Sequence, residues 1–195
     1  ELQQQAETAL HEAQSHGPRS VAEFHEDIDD QRADNVTLES DLRRAIDRHE
    51  IEVHYQPIMS LLSREVAGFE ALARWKHPTR GLLQPSEFIG MAEQAGLIRE
   101  IGDMVLVEAV RQMGIWQRVL TRNRPVFMAI NVSSDQLSDT SFLYRLNSVI
   151  AREGVLSYAI KIEITESVAM RYPERARQLI QRLISLGIGV ACDDF

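Results

Sequence analysis

A single cysteine, Cys192, in 195 residues excludes an intrachain disulfide, and nothing in the chain asks for an oxidising compartment. Glycine and proline are scarce too, at 10 and 6 residues, which excludes collagen-like and low-complexity classes. Positive charge is in deficit. With a net charge of -8 the surface has no sequence-independent hold on DNA or RNA, and an anionic ligand would need local help from metal ions or a well-placed arginine. No apolar run approaches the ~18 residues of a membrane span. The opening Glu1-Leu2-Gln3-Gln4-Gln5 is neither a signal peptide nor an initiator methionine, so the expectation is an internal piece of a longer soluble protein, cytoplasmic in this part, with membrane tethering through other regions left open. What is there, 44% hydrophobic and 26% charged residues, suits a globular chain with a sizeable core.

Residues 1–16 read as a helix, with Leu2, Ala6, Ala9, Leu10 and Ala13 at helical spacing and Gly17-Pro18 as its stop. Ser20 to Phe24 reads as an edge strand, and 25–36 as an acidic linker. His25 among its carboxylates is a metal-site candidate or a member of a solvated charge run. From Thr37, read as an N-cap, regular alternation begins: a helix carrying Leu38, Leu42, Ala45 and Ile46, then a strand from Ile51 to Ile58 with His54 as a structural histidine. Helices are expected after Pro85, with Ser86 as cap, and from about Ile98 to Leu120. A strand over Val126–Val132, a helix from the Ser133-Ser134-Asp135 cap to about Arg152, and a strand over Ala159–Glu166 follow. A helix beginning near Pro173 and a strand over Ile188–Asp194 complete the chain. Strand–helix alternation with short connections argues for parallel βα units.

The stretch Gly68-Phe69-Glu70-Ala71-Leu72-Ala73-Arg74-Trp75 reads as a strand with Glu70, Leu72 and Arg74 on one face and Phe69, Ala71 and Ala73 on the other. Glu70 and Arg74 alone could be an ordinary ion pair. Glu70, Asn131, Glu163 and Asp193, however, fall at or near the ends of four successive strands, where the loops of a parallel array gather. Three carboxylates and an amide at one rim need a counter-charge, unless they are a structural polar layer. An all-oxygen donor set suits a hard divalent cation, and Asp194 beside Asp193 admits a second. Two such ions are the machinery of in-line attack on a phosphodiester, with Arg74 as a phosphate clamp.

These residues fall into spaced motifs. Tyr55-Gln56-Pro57-Ile58, Glu70-Ala71-Leu72-Ala73-Arg74-Trp75 with His77-Pro78, Asn131-Val132-Ser133, Glu163-Ile164-Thr165-Glu166-Ser167 and Asp193-Asp194-Phe195 together resemble the EAL family of cyclic di-GMP phosphodiesterases. The resemblance covers about Thr37 to Phe195. It implies an α/β fold, a TIM-like barrel with an antiparallel first strand, and hydrolysis of cyclic di-GMP to linear pGpG with Mg2+ or Mn2+. It further implies Glu70, Asn131, Glu163 and Asp193 as ligands of a first metal and Asp193 with Asp194 as ligands of a second. Gln56, Leu72 and Arg74 would contact substrate, and Glu166 would steady the loop after Asp194, which in the family often supports homodimerisation. Gly90 stands where the family usually has proline. Residues 1–24 resemble the end of a GGDEF-like domain, which would make such a domain, or a sensor, the upstream partner.

An eight-stranded barrel needs ~250 residues, and those from Thr37 on supply about five strands. The chain is therefore expected to be part of a longer protein, to be inactive alone and to expose unpaired strand edges. A catalytically inactive cyclic di-GMP sensor, or a different two-metal phosphohydrolase, are the alternatives.

Overall fold

A computed structural model describes residues 26–119 and 125–193, excepting the side chains of 26–36 and of Asp193. The helix and strand read over residues 1–24, and the role considered for His25, lie outside the described residues. Helix α1 runs from Glu26 to Asp47, so the helix read as starting at Thr37 begins eleven residues earlier and Thr37 lies in its interior. The sequence explains this. Residues 26–36 contain no proline or glycine to interrupt a helix. Extending a formed helix costs far less than nucleating one. The boundary between the two units of the chain falls inside α1, between Arg44 and Ala45, and the second unit holds every described strand.

Strand β1 (Ile51–Met59) turns through Ser60–Glu65 into the twelve-residue strand β2 (Val66–His77), with Gln56 opposite Glu70 and Glu52 opposite Arg74. Arg64 takes a positive φ in that turn, and Ser60 and Glu65 close it with a 2.8 Å backbone hydrogen bond. A short strand that the sequence reading did not separate, β3 (Gly81–Leu83), folds back along the end of β2. Its turn is organised by the buried His77 ring, whose Nδ1 accepts the N–H groups of Thr79 and Arg80 at 3.2 Å each. Gly81, at φ 77°, supplies the left-handed residue there.

Helices α2 (Pro85–Gln94) and α3 (Ile98–Val119) follow. Gln84, not Ser86, caps α2, because Pro85 takes the first helical position and the Gln84 N–H donates to Glu87 Oε2 at 2.6 Å. Next come β4 (Phe127–Asn131), α4 (Ser134–Ser138) and α5 (Phe142–Glu153). The single helix expected from Ser133 to Arg152 is thus two. Asp139 is extended, and its carboxylate accepts the Ser141 N–H at 2.9 Å, so a side chain takes the place of the helical ladder there. A 3-10 turn at Ser157–Ala159 leads to β5 (Ile160–Thr165), α6 (Glu166–Arg171), α7 (Pro173–Ser185) and β6 (Gly189–Asp193).

The strands form one mixed sheet in the order β1-β2-β4-β5-β6, with β3 appended to β2. The first pairing is antiparallel and those from β2 through β6 are parallel. One face lies under the helices: Phe69 and Tyr55 pack on Trp116 of α3 with ring centroids 4.4 and 5.0 Å apart, and Ala71, Ala73, Met128, Ile130, Ile160, Ile162 and Ile164 are buried. Burial of these alternating side chains holds the layers together, at roughly 25 cal/mol per Å² of apolar surface. The opposite face carries Gln56, Glu70, Leu72, Arg74, Asn131 and Glu163.

Candidate metal and substrate site

Backbone register arranges that face in rows. Glu70 lies in the middle of β2 and not at its end, as the sequence reading had it, because β2 runs on to pair with β1 and β3. Measured against the parallel neighbour it is level with Ala129, two residues before the end of β4. Asn131 ends β4 and stands opposite Glu163 of β5, while Asp193 stands opposite Thr165, two residues beyond Glu163. The small Ala129 leaves the Asn131 side chain room to reach back, and its Nδ2 donates to Glu70 Oε1 at 2.8 Å. The Val132 N–H donates to the Glu163 carbonyl at 2.9 Å, which pins the turn immediately after Asn131.

With Nδ2 engaged, the Asn131 Oδ1 is left as an acceptor beside the Glu70 carboxylate. Carboxylate and amide oxygens on adjacent strands fit a hard divalent cation such as Mg2+ or Mn2+. The described residues contain no group of three or more His, Cys, Asp or Glu side chains able to hold a metal. The side chain of Asp193 and all of Asp194 lie outside them.

Glu70 and Arg74 form no ion pair, so the simplest structural explanation of their spacing does not hold. The Arg74 Nη1 donates instead to the Ala73 carbonyl at 2.8 Å, an interaction that uses one of the five guanidinium donors. Gln56 is exposed opposite Glu70, and Leu72 is half-buried opposite His54. His54 lies 3.6 Å from Glu52 Oε2, a surface pair in keeping with its structural reading. Glu166 is exposed in the first turn of α6, and the segment it was expected to steady is not among the described residues. Beneath the acidic rows the Lys161 ammonium lies 3.8 Å from the centre of the Phe127 ring.

A polar cluster behind β4 escaped the sequence reading. Gln136, 1% exposed, binds Ser133 and Asp103, and Arg145 bridges Asp103 (3.3 Å) and Asp139 (2.7 Å). The Ser141 N–H, with Arg145 reinforcing it, holds the Asp139 carboxyl down at about 2. The spacing Ser133-x-x-Gln136 directly after a strand is a capping-box signal that could have revealed Gln136. A groove lined by Trp116, Gln117, Pro125, Val126, Leu156 and Tyr158 opens at the amino end of β4, away from these rows.

A model of the EAL domain matches residues 39–195. The bifunctional diguanylate cyclase/cyclic di-GMP phosphodiesterase MucR of Pseudomonas aeruginosa is 32% identical over all of this chain, and the cyclic di-GMP phosphodiesterase PdeR of Escherichia coli is 33% identical over 97% of it. The chain spans 28% of the length of each. Among solved structures, a PaMucR phosphodiesterase in complex with c-di-GMP superposes with a TM-score of 0.77 at 34% identity, covering 82% of this chain and 64% of that one. No described helix is long and apolar enough to cross a membrane. The mixed sheet, the order of the spaced motifs and these similarities lead to one conclusion: the chain belongs to the EAL-domain family, the family of cyclic di-GMP phosphodiesterases.

Proposed function

We propose that the full-length protein hydrolyses one phosphodiester bond of cyclic di-GMP, giving linear pGpG, on a TIM-like barrel of which the strands described here form the first part. The observation that carries this reading is the 2.8 Å hydrogen bond between Asn131 and Glu70, with Glu163 in register beside Asn131. Oxygen-bearing residues on three neighbouring strands thereby share the sheet face opposite the one packed on Trp116 of α3. Glu70, Asn131, Glu163 and Asp193 would hold one Mg2+ or Mn2+, and Asp193 with Asp194 a second. Such ions supply an activated water and neutralise phosphate oxygens in an in-line displacement.

The chain's own residues do the rest. Arg74, whose guanidinium has no carboxylate partner among the described residues, offers its remaining donors to a phosphate as a planar fork. Gln56 and Leu72 flank Glu70 and Arg74 on the same face, one as a polar contact to the nucleotide and the other as an apolar wall. Water adds across the scissile P–O bond and the departing ribose oxygen takes up its proton. Glu166 steadies the segment after Asp194 from the start of α6. The full-chain match to a bifunctional relative, extending upstream of residue 39, supports a GGDEF-like segment ahead of this domain.

The test is incubation of the full-length protein with cyclic di-GMP and Mg2+ or Mn2+, with and without a chelator, followed by chromatography. Linear product that disappears with chelator is the expected result. Binding of the dinucleotide with no product would overturn the catalytic reading in favour of a sensor domain.

A further inference from the structure

Gln136 is a buried polar side chain close to the site that the proposed chemistry leaves unused. Its Oε1 accepts from the Ser133 N–H at 3.3 Å and the Ser133 Oγ at 3.4 Å, while its own N–H donates to Ser133 Oγ at 3.3 Å. Its Nε2 donates to Asp103 Oδ1 at 3.0 Å, crossing from α4 to α3. The neighbouring residue on α3 is Gly102, where a Cβ would stand 2.4 Å from Gln136 Oε1, so the amide fills a space that glycine leaves. Asp103 is in turn held by Arg145, and Arg145 and Arg99 both bind Asp139, at 2.7 and 2.8 Å. One hydrogen-bonded chain thus runs from the outer surface of α3 and α5 to Ser133. Two residues further back along the main chain stands Asn131, which holds Glu70.

A cap needs only the bonds to Ser133. The bond from Nε2 to Asp103 does something different, since it fixes the β4–α4 turn against a helix on the far side of the sheet. We infer that Gln136, anchored by Asp103, is a positioning residue for Asn131, setting the direction from which the Asn131 amide meets Glu70 and the metal. The part of this that concerns metal rests on the proposed function. The part that concerns the Asn131–Glu70 bond does not.

Gln136→Glu isolates the anchor. A carboxylate there still accepts from Ser133 but faces the Asp103 carboxylate instead of donating to it, whereas adding Asp103→Asn restores a donor with the direction of the bond reversed. Partners that orient a ligand from behind are worth roughly ten- to a hundredfold in metal affinity. Full-length Gln136→Glu is therefore expected to bind Mn2+ about tenfold more weakly at a temperature where it is fully folded, and the double variant to recover most of that loss. In the metal-free protein, the Asn131 side-chain amide resonances should shift in Gln136→Glu and return in the double variant. Lowered melting temperature with Mn2+ affinity within about twofold of wild type and unmoved Asn131 resonances would make Gln136 a mere cap and overturn the inference. Wild-type protein that bound no Mn2+ would overturn the proposed function instead, and the metal-free resonances would still decide the role of Gln136.

Discussion

Gly68→Ala is the most direct test of the strand packing on which the site depends. Gly68 pairs in register with Phe127 across the β2–β4 junction, and a Cβ at Gly68 would lie 2.7 Å from Cδ2, Cε2 and the carbonyl oxygen of Phe127. The ring atoms could rotate aside. The carbonyl cannot, because it belongs to the paired strand, so the strands themselves must separate. Overpacking of this kind costs about 1–3 kcal/mol, and the backbone contact puts this site in the upper part of that range. Loss of glycine's unfolded-state entropy returns about 0.4–1 kcal/mol, leaving a net loss of about 2 kcal/mol. For a barrel domain of about 250 residues that lowers the melting temperature of the domain's own transition by roughly 4–8 °C. Urea and thermal unfolding of the full-length protein measure it, and Mn2+ titration should show weaker binding because Glu70 lies two residues along the displaced strand. Combining Gly68→Ala with Phe127→Leu removes the two ring contacts but not the carbonyl contact, so recovery should be partial. A Gly68→Ala protein as stable as wild type would refute the close-approach argument and the register behind it.

Glu70→Gln preserves size and can still accept from Asn131, but removes the charge a cation needs. Several kcal/mol of transition-state stabilisation are at stake, so kcat/KM for cyclic di-GMP should fall on the order of a thousandfold with little change in melting temperature, as steady-state assays and calorimetry would show. Asp139 provides a pH test. Its folded-state pKa lies below the ordinary carboxylate value, at about 2, so the stability it contributes is complete above the unfolded pKa near 4 and is lost as pH falls from about 4 toward 2. Asp139→Asn should flatten the acid limb of a urea-midpoint profile in that window. An unchanged acid limb would mean that the bonds to Ser141 and Arg145 do not persist in solution.

Much of this architecture was legible in the sequence because period and punctuation are local. Ile160, Ile162 and Ile164 alternate with Lys161, Glu163 and Thr165, and that alternation is the burial pattern of β5. Ile101, Val105, Ala109 and Met113 recur at helical spacing and are buried in α3. Gly154 and Gly187, at φ 66° and 75°, stand just past the ends of α5 and α7. The readings that failed were those in which a side chain competes with the backbone. Asp139 cuts a helix by capturing the Ser141 N–H, Pro85 moves a cap from Ser86 to Gln84, and β3 exists because the His77 ring organises a turn. Propensity alone does not show which of these contests is won.

By itself the sequence determined the alternating faces, the order of strands and helices, and the placing of Glu70, Asn131, Glu163 and Asp193 on separate strands, since all of these follow from residue types and spacing along one dimension. Only the tertiary structure decided register. It set Asn131 opposite Glu163 and diagonal to Glu70, kept Arg74 from closing on Glu70, and ran the Asp103–Gln136–Ser133 chain in behind β4. A shift of one residue between two strands would leave every local pattern unchanged, yet it would turn one strand's chemical face under the helices. Packing of the buried face across the sheet, which no single segment encodes, is what forbids that shift.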